Sequence, residues 1–233
     1  MSDMKTSVSD FLTFQRMARG LAPSSAKLYS SILGRFAAFA GERSTPARAA
    51  HRVEPFLIDL GERGLGDHAR RKAFEVVRQF YRWACERGRA PVNPLRDSRP
   101  PLVHDKPRSF LTRAEVIGLL GVISAGGTMH SQRDAALFSV MFFAGLRVSE
   151  VLRLRLRDLA SARGLLAVFG KGSKVRHVPI HPELEVILSR WLRARPAGGD
   201  ILFPSRAAGW KHSGQLDNAR VELLLRNVYA PRA

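Results

Sequence analysis

The segment from Arg89 to Arg108, RAPVNPLRDSRPPLVHDKPR, constrains this chain more than any other. Each of its five prolines lacks an amide donor and has one backbone angle fixed, so neither a helix interior nor a central strand can pass through. The 233-residue chain is therefore expected to fold as two bodies joined by an extended connection. Both bodies are basic. Divided at Pro107, the chain carries 19 basic against 11 acidic side chains before the break, net +8, and 19 against 9 after it, net +10. An excess shared so evenly points to a polyanionic partner, DNA or RNA, rather than to one basic tail on a neutral body. At 45% apolar residues, each side has enough material for a core.

Residues 1–90 read as four helices. Val8, Phe11, Leu12 and Met17 give the first an apolar side, and Pro23 opens a second with Leu28, Ile32, Leu33, Phe36 and Phe39 at helical spacing. A third carries Val53, Phe56, Leu57 and Leu60 and ends at Gly61 or Gly64. The fourth runs from about Asp67, a plausible cap, to Gly88, with Phe74, Val77, Phe80, Tyr81 and Ala84 facing inward. Its other face is cationic: Arg70, Arg71, Lys72, Arg78, Arg82 and Arg87, opposed by Glu75 and Glu86 alone. Clustering on one helix favours contact with backbone phosphates over a merely solvated face.

Beyond the break, Thr112 and Glu115 form a capping-box pattern ahead of Val116, Ile117, Leu119 and Leu120. Asp134 to Ala144 is almost wholly apolar but too short to span a bilayer, so it is expected as a buried central helix. Gly145 ends it, and GLRVSEVLRLRLRDL is expected to open a second, amphipathic helix at Arg147. Leu165 to Phe169 and Val175 to Ile180 flank a Gly-Lys-Gly-Ser-Lys turn and predict a hairpin. Pro182 then opens a helix with Leu184, Ile187, Leu188, Trp191 and Leu192. The single cysteine, Cys85, excludes an internal disulfide and a Cys-rich zinc site; His177 and His181 have no third ligand at sensible spacing, so no metal is expected. The N-terminus is polar, with no run fit for a signal peptide, and a cytoplasmic location is expected.

Two cations stand out. Arg147, at a helix start, presents a planar fork suited to two oxygens of one phosphate, and Lys171, between glycines, suits a point contact or proton donation. The strings GLRVSEVLRLRLRDL and GKGSKVRHVPI resemble the first half of the catalytic domain of tyrosine recombinases, the phage integrase and Xer-like site-specific recombinase family. VNP at Val92 to Pro94 and FLTRAEV at Phe110 to Val116 match in order and spacing. The resemblance implies a mainly α protein. Residues 1–90 would be a helical core-binding (SAM-like) DNA-binding domain, 91–107 a linker, and 108–233 a partial α+β catalytic domain with a small hairpin or sheet. It further implies that Arg147 holds the scissile phosphate, that Lys171 is the hairpin general acid, and that Glu150 orients the pocket. Lys174 and Arg176 join Arg70, Arg71, Lys72, Arg78 and Arg82 as expected DNA contacts. Double-stranded DNA, with other recombinase protomers on it, is the implied partner; strand exchange through a phosphotyrosyl link needs no cofactor.

The family chemistry also requires an H-x-x-R motif and a nucleophilic tyrosine. Here His212 is followed three residues on by Gln215, and Tyr229 lacks the expected surroundings. The sequence therefore reads as a recombinase truncated before its active site is complete, with some of Met141, Phe142, Phe143 and Trp191 expected to have fewer neighbours. It should bind DNA without cleaving it. The alternative is a non-enzymatic DNA-binding regulator, or a factor that occludes recombination sites.

Overall fold

The computed structural model describes residues 2–104, 110–160, 164–170, 174–205 and 216–229. They fall into two compact units, Met1–Pro107 and Arg108–Ala233.

The first unit is a helical bundle: α1 (Met4–Met17), α2 (Pro23–Ala40), the short α3 (Pro46–Ala49), α4 (Val53–Glu62) and α5 (Asp67–Glu86). Local chemistry sets the helix starts. Asp3 accepts the Thr6 amide at 2.8 Å to cap α1, Pro23 and Pro46 occupy opening turns, and Gly66 rather than Asp67 precedes α5. The Asp67 carboxylate instead takes Arg70 and the His104 amide, which hold it below the usual range. Phe11, Phe36, Phe56, Phe80 and Tyr81 form an aromatic core, and the buried Tyr81 hydroxyl donates to the Pro46 carbonyl at 3.0 Å. Met17 and Leu28, expected on inward faces, are exposed. The core also reaches beyond the helices. Leu95 is buried in it, positioned by Asn93, whose amide donates to the Arg78 carbonyl and whose carbonyl accepts the Leu95 amide.

In the second unit, α6 (Arg113–Ala125) starts with the full capping box: Glu115 N–H donates to Thr112 Oγ1, and Thr112 N–H donates to the Glu115 carboxylate. Next comes α7 (Met129–Phe143), buried along Arg133–Val140, with the Arg133–Asp134 ion pair inside it. One turn, α8 (Val148–Val151), leads to strands β1 (Leu159–Ala160), β2 (Leu165–Phe169) and β3 (Val175–Pro179). These form an antiparallel sheet in that order, with Val168 opposite Arg176 and Phe169 opposite Val175. Helix α9 (Pro182–Ala194) packs on α7, and α10 (Asn218–Leu223), capped by Asp217, continues into a π-helical segment, Leu224–Tyr229.

One expectation fails here. The amphipathic helix from Arg147 is a single turn. After Val151 the chain leaves the helix through a turn at Leu152 and Arg153, Arg155 makes an isolated antiparallel bridge to Ile201, and Leu156–Asp158 forms one turn of 3-10 helix; Leu152 and Leu154 are buried. The Leu202 amide donates to the Leu154 carbonyl, and the Leu156 amide to that of Asp200, so a neighbouring segment supplies the bonds a helix would have made internally. Of Met141, Phe142, Phe143 and Trp191, the first and third are half-buried, whereas Trp191 is not short of neighbours. It is fully buried, with its indole N–H donating to the Leu202 carbonyl at 2.9 Å; of the four residues named, Phe142 alone is classed as exposed, at 37%.

Candidate functional site

The turn from α7 into α8 depends on Gly145, whose φ of 61° lies in the left-handed region that side chains disfavour. Leu146 then buries itself in the core, and the next residue, Arg147, emerges with its side chain 80% exposed. Glu150 is its opposite, a carboxylate only 4% exposed. Four donors meet it. The Arg147 amide reaches Oε2 at 3.0 Å and Arg147 Nη1 reaches Oε1 at 3.3 Å. From β3, Arg176 lays its fork across both oxygens, Nη1 to Oε1 at 3.0 Å and Nη2 to Oε2 at 2.9 Å. These bonds, Arg176's first and the Arg147 amide's next, hold the Glu150 carboxyl down at about 2 against the upward push of burial. The Arg176 guanidinium is raised in return.

The cluster thus holds two guanidiniums on one buried carboxylate. The amide at the start of α8 is spent on Glu150, so the guanidinium of Arg147, rather than a helix terminus, faces outward. A planar cation held this way suits an oxyanion with two oxygens in one plane. The hairpin approaches the same place: a Cβ on Gly170 would lie 3.6 Å from Arg176 Nη1, and the Gly170 amide donates to the Lys174 carbonyl at 2.8 Å. Lys174 is exposed; Lys171, the residue after Gly170, lies outside the described residues.

The phage integrase family model matches residues 109–229, more than half of the chain. The chain belongs to the phage integrase family. Tyrosine recombinase XerC of Xanthomonas axonopodis pv. citri (strain 306) is 31% identical over 218 residues, 88% of this chain and 71% of that protein. Tyrosine recombinase XerD of Caulobacter vibrioides is 33% identical over 186 residues, 77% of this chain and 60% of XerD. The fold is similar to that of a lambda integrase tetramer bound to a Holliday junction, with a TM-score of 0.75 at 14% identity over 97% of this chain and 65% of that one. It is also similar to the Tn1549 transposon integrase in complex with circular intermediate DNA, at 0.69 and 18% over 94% of this chain and 75% of that one.

Within this integrase-family chain, the α5 cations separate into two sets. Arg70 pairs with Asp67 at 2.7 Å, and Arg71 and Lys72 share Glu75 at 3.5 Å, so two carboxylates offset two of these three positive charges. Arg78 donates to the Arg96 carbonyl at 2.9 Å, which joins α5 to the chain beyond it. Arg82 is exposed and, with Arg19, Trp83 and Phe14, lines a cavity of about 390 Å³. Arg19 and Arg87 both lie over the Phe14 ring, a concentration of cations that periodicity within α5 does not reveal.

The α5 set and the Glu150 set belong to different units. Arg155 and Arg157 lie 3.4 and 3.8 Å from Asp200, and Arg153 donates to the Ser149 carbonyl. His181 caps α9 through Nδ1 and stacks on Phe143. Among the described residues, no three His, Cys, Asp or Glu side chains gather to hold a metal, and no helix is long and apolar enough to cross a membrane. His212 and Gln215 lie outside the described residues. Sequence reasoning missed the Arg176–Glu150 pair; its partners are 26 residues apart, and the signal available was a lone Arg within the short strand VRHVP.

Proposed function

We propose that this chain binds double-stranded DNA as a member of the site-specific recombinase and integrase family. Arg147 engages a backbone phosphate at the site of strand exchange. The observation that carries this is the exposed Arg147 guanidinium, set beside a buried carboxylate on a single turn in a chain of net charge +18. A phosphate approaching Arg147 meets an exposed guanidinium; stabilisation is greatest where charge builds on the phosphoryl oxygens.

In this reading residues 1–90 form a DNA-binding domain using Arg70, Arg71, Lys72, Arg78 and Arg82, with 91–107 as linker. Residues 108–233 supply Arg147, Glu150, Lys171, Lys174 and Arg176. Work in the cytoplasm, in company with further protomers on DNA, follows from the same reading. Support comes from the relatives' names and from the DNA-bound integrases that share the fold.

The test is a titration of duplex binding against salt. Each phosphate neutralised releases counterions and contributes about 0.9 to the slope of log affinity against log salt, so Arg147→Ala should lower the slope by about one contact. A flat salt response of the wild-type chain refutes DNA binding.

A further inference from the structure

Glu150 has two oxygens and two claimants. Arg176 reaches both, at 3.0 and 2.9 Å, whereas the Arg147 guanidinium makes one contact at 3.3 Å, the longest of the four bonds to this carboxylate. Exposure follows the same ranking: the Arg176 side chain is 43% exposed and that of Arg147 80%. A buried carboxylate demands compensation, because an unpaired charge out of water is costly. The guanidinium already touching it is that of Arg147. Without Arg176, Glu150 would turn both oxygens to Arg147 and convert an open cation into a closed pair.

We propose that Arg176 is a positioning residue: by occupying both oxygens of Glu150 it keeps that carboxylate from closing on Arg147, so that the Arg147 guanidinium stays open to a DNA phosphate. The inference rests on the DNA-binding reading for its phosphate and on geometry alone for the competition. The strand supports the role. Arg176 lies opposite Val168 within the β2–β3 ladder, so its place is set by the sheet rather than by a mobile loop. One edge of its fork is spent on Glu150, which distinguishes it from the exposed Lys174 of the same hairpin. With both arginines present the cluster keeps one net positive charge; with Arg176 gone it keeps none, and an incoming phosphate must first break the Arg147–Glu150 pair.

Two measurements on the full chain test this. The first needs no DNA: NMR of the arginine side chains in wild type, Arg176→Ala, and Arg176→Ala with Glu150→Gln. In wild type the Arg176 guanidinium should rotate slowly, as a two-bond pair requires, and that of Arg147 freely. In Arg176→Ala the Arg147 guanidinium should become the slow one, and adding Glu150→Gln should free it. An Arg147 signal unchanged by Arg176→Ala overturns the proposal.

The second is affinity for a duplex at fixed salt. Lys174→Ala, loss of one exposed cation, should weaken binding about threefold. Arg176→Ala should weaken it about tenfold, the worth of a charge-assisted hydrogen bond that must now be broken, and Glu150→Gln in that background should restore most of the loss. If the double variant binds as weakly as Arg176→Ala, Arg176 is a direct phosphate contact and the proposal fails. Should Arg176→Ala not fold, Arg176→Lys, which keeps one point charge but loses the fork, replaces it in both arms with the same signs expected. A wild-type chain that binds no duplex removes the DNA reading, and the NMR measurement then decides the competition at Glu150 by itself.

Discussion

Trp191→Phe tests whether the second unit is finished around its own core. Trp191 is fully buried in α9, which packs against α7, and its indole N–H donates to the Leu202 carbonyl at 2.9 Å. Phenylalanine deletes the donor and leaves that carbonyl orphaned in a site without solvent, a cost of about 1–2 kcal/mol. Losing the second ring leaves a void that stiff neighbours fill only partly, a further cost of about 1–2 kcal/mol. The sum, about 2–4 kcal/mol, moves a urea midpoint down by roughly 1–2 M at a typical slope of about 2 kcal/mol per molar. Urea melts followed by circular dichroism on the full chain measure this, with exposed Leu192→Ala as the comparison, expected to shift the midpoint by less than about 0.5 M. The unfolding of the first unit should not move. A Trp191→Phe midpoint no lower than that of Leu192→Ala would refute the reasoning, because the side chain would then contribute no more than a surface leucine.

Two shorter predictions follow. Glu150 ionises in the folded chain at about 2, below its usual 4.5, so its contribution to stability is fully present above about pH 4.5 and is lost as pH falls through about 2. Acid denaturation of Glu150→Gln should show a shallower loss over that window, and a curve parallel to wild type would refute the assignment. The 233-residue chain, incubated with a nicked duplex and run on a denaturing gel, should give no protein-linked DNA, since Gln215 stands where the H-x-x-R pattern after His212 needs arginine. A covalent band abolished by Tyr229→Phe would make Tyr229 the nucleophile and reverse that expectation.

How much the sequence discloses depends on the range of the interaction. The capping box of Thr112 and Glu115, the proline starts of α2 and α9, and the β2–β3 hairpin are local, and three or four adjacent residues suffice to specify each. The Leu–Arg alternation after Val151 satisfies a helical reading; what ends the helix lies outside it, in the segment around Ile201 and Leu202, 46 residues further on in the Arg155–Ile201 bridge. Arg147 and Glu150 stand one turn apart, so their contact is a local one. The stronger partner of Glu150 was invisible, since nothing in VRHVP says which way Arg176 will point until the hairpin register places it. On α5, the cation spacing did not disclose that Arg70 pairs with Asp67 and that Arg71 and Lys72 share Glu75.

The burial of Leu95 bears on how such units can be exchanged. Helical periodicity stops with α5, yet the side chain that plugs the bottom of the bundle is nine residues further along, inside the proline-rich stretch and steered there by Asn93. Prolines that forbid a helix also hold the chain stiff enough for a single leucine to be delivered back to the core without an element to carry it. A recombinant joined after residue 90 would inherit the five helices without Leu95 in their core, whereas one joined after 95 would carry its own stopper. Selection on gene fusions would then act on a seam that lies within apparent spacer, and the residues of that spacer would change under the rules of a core rather than those of a tether.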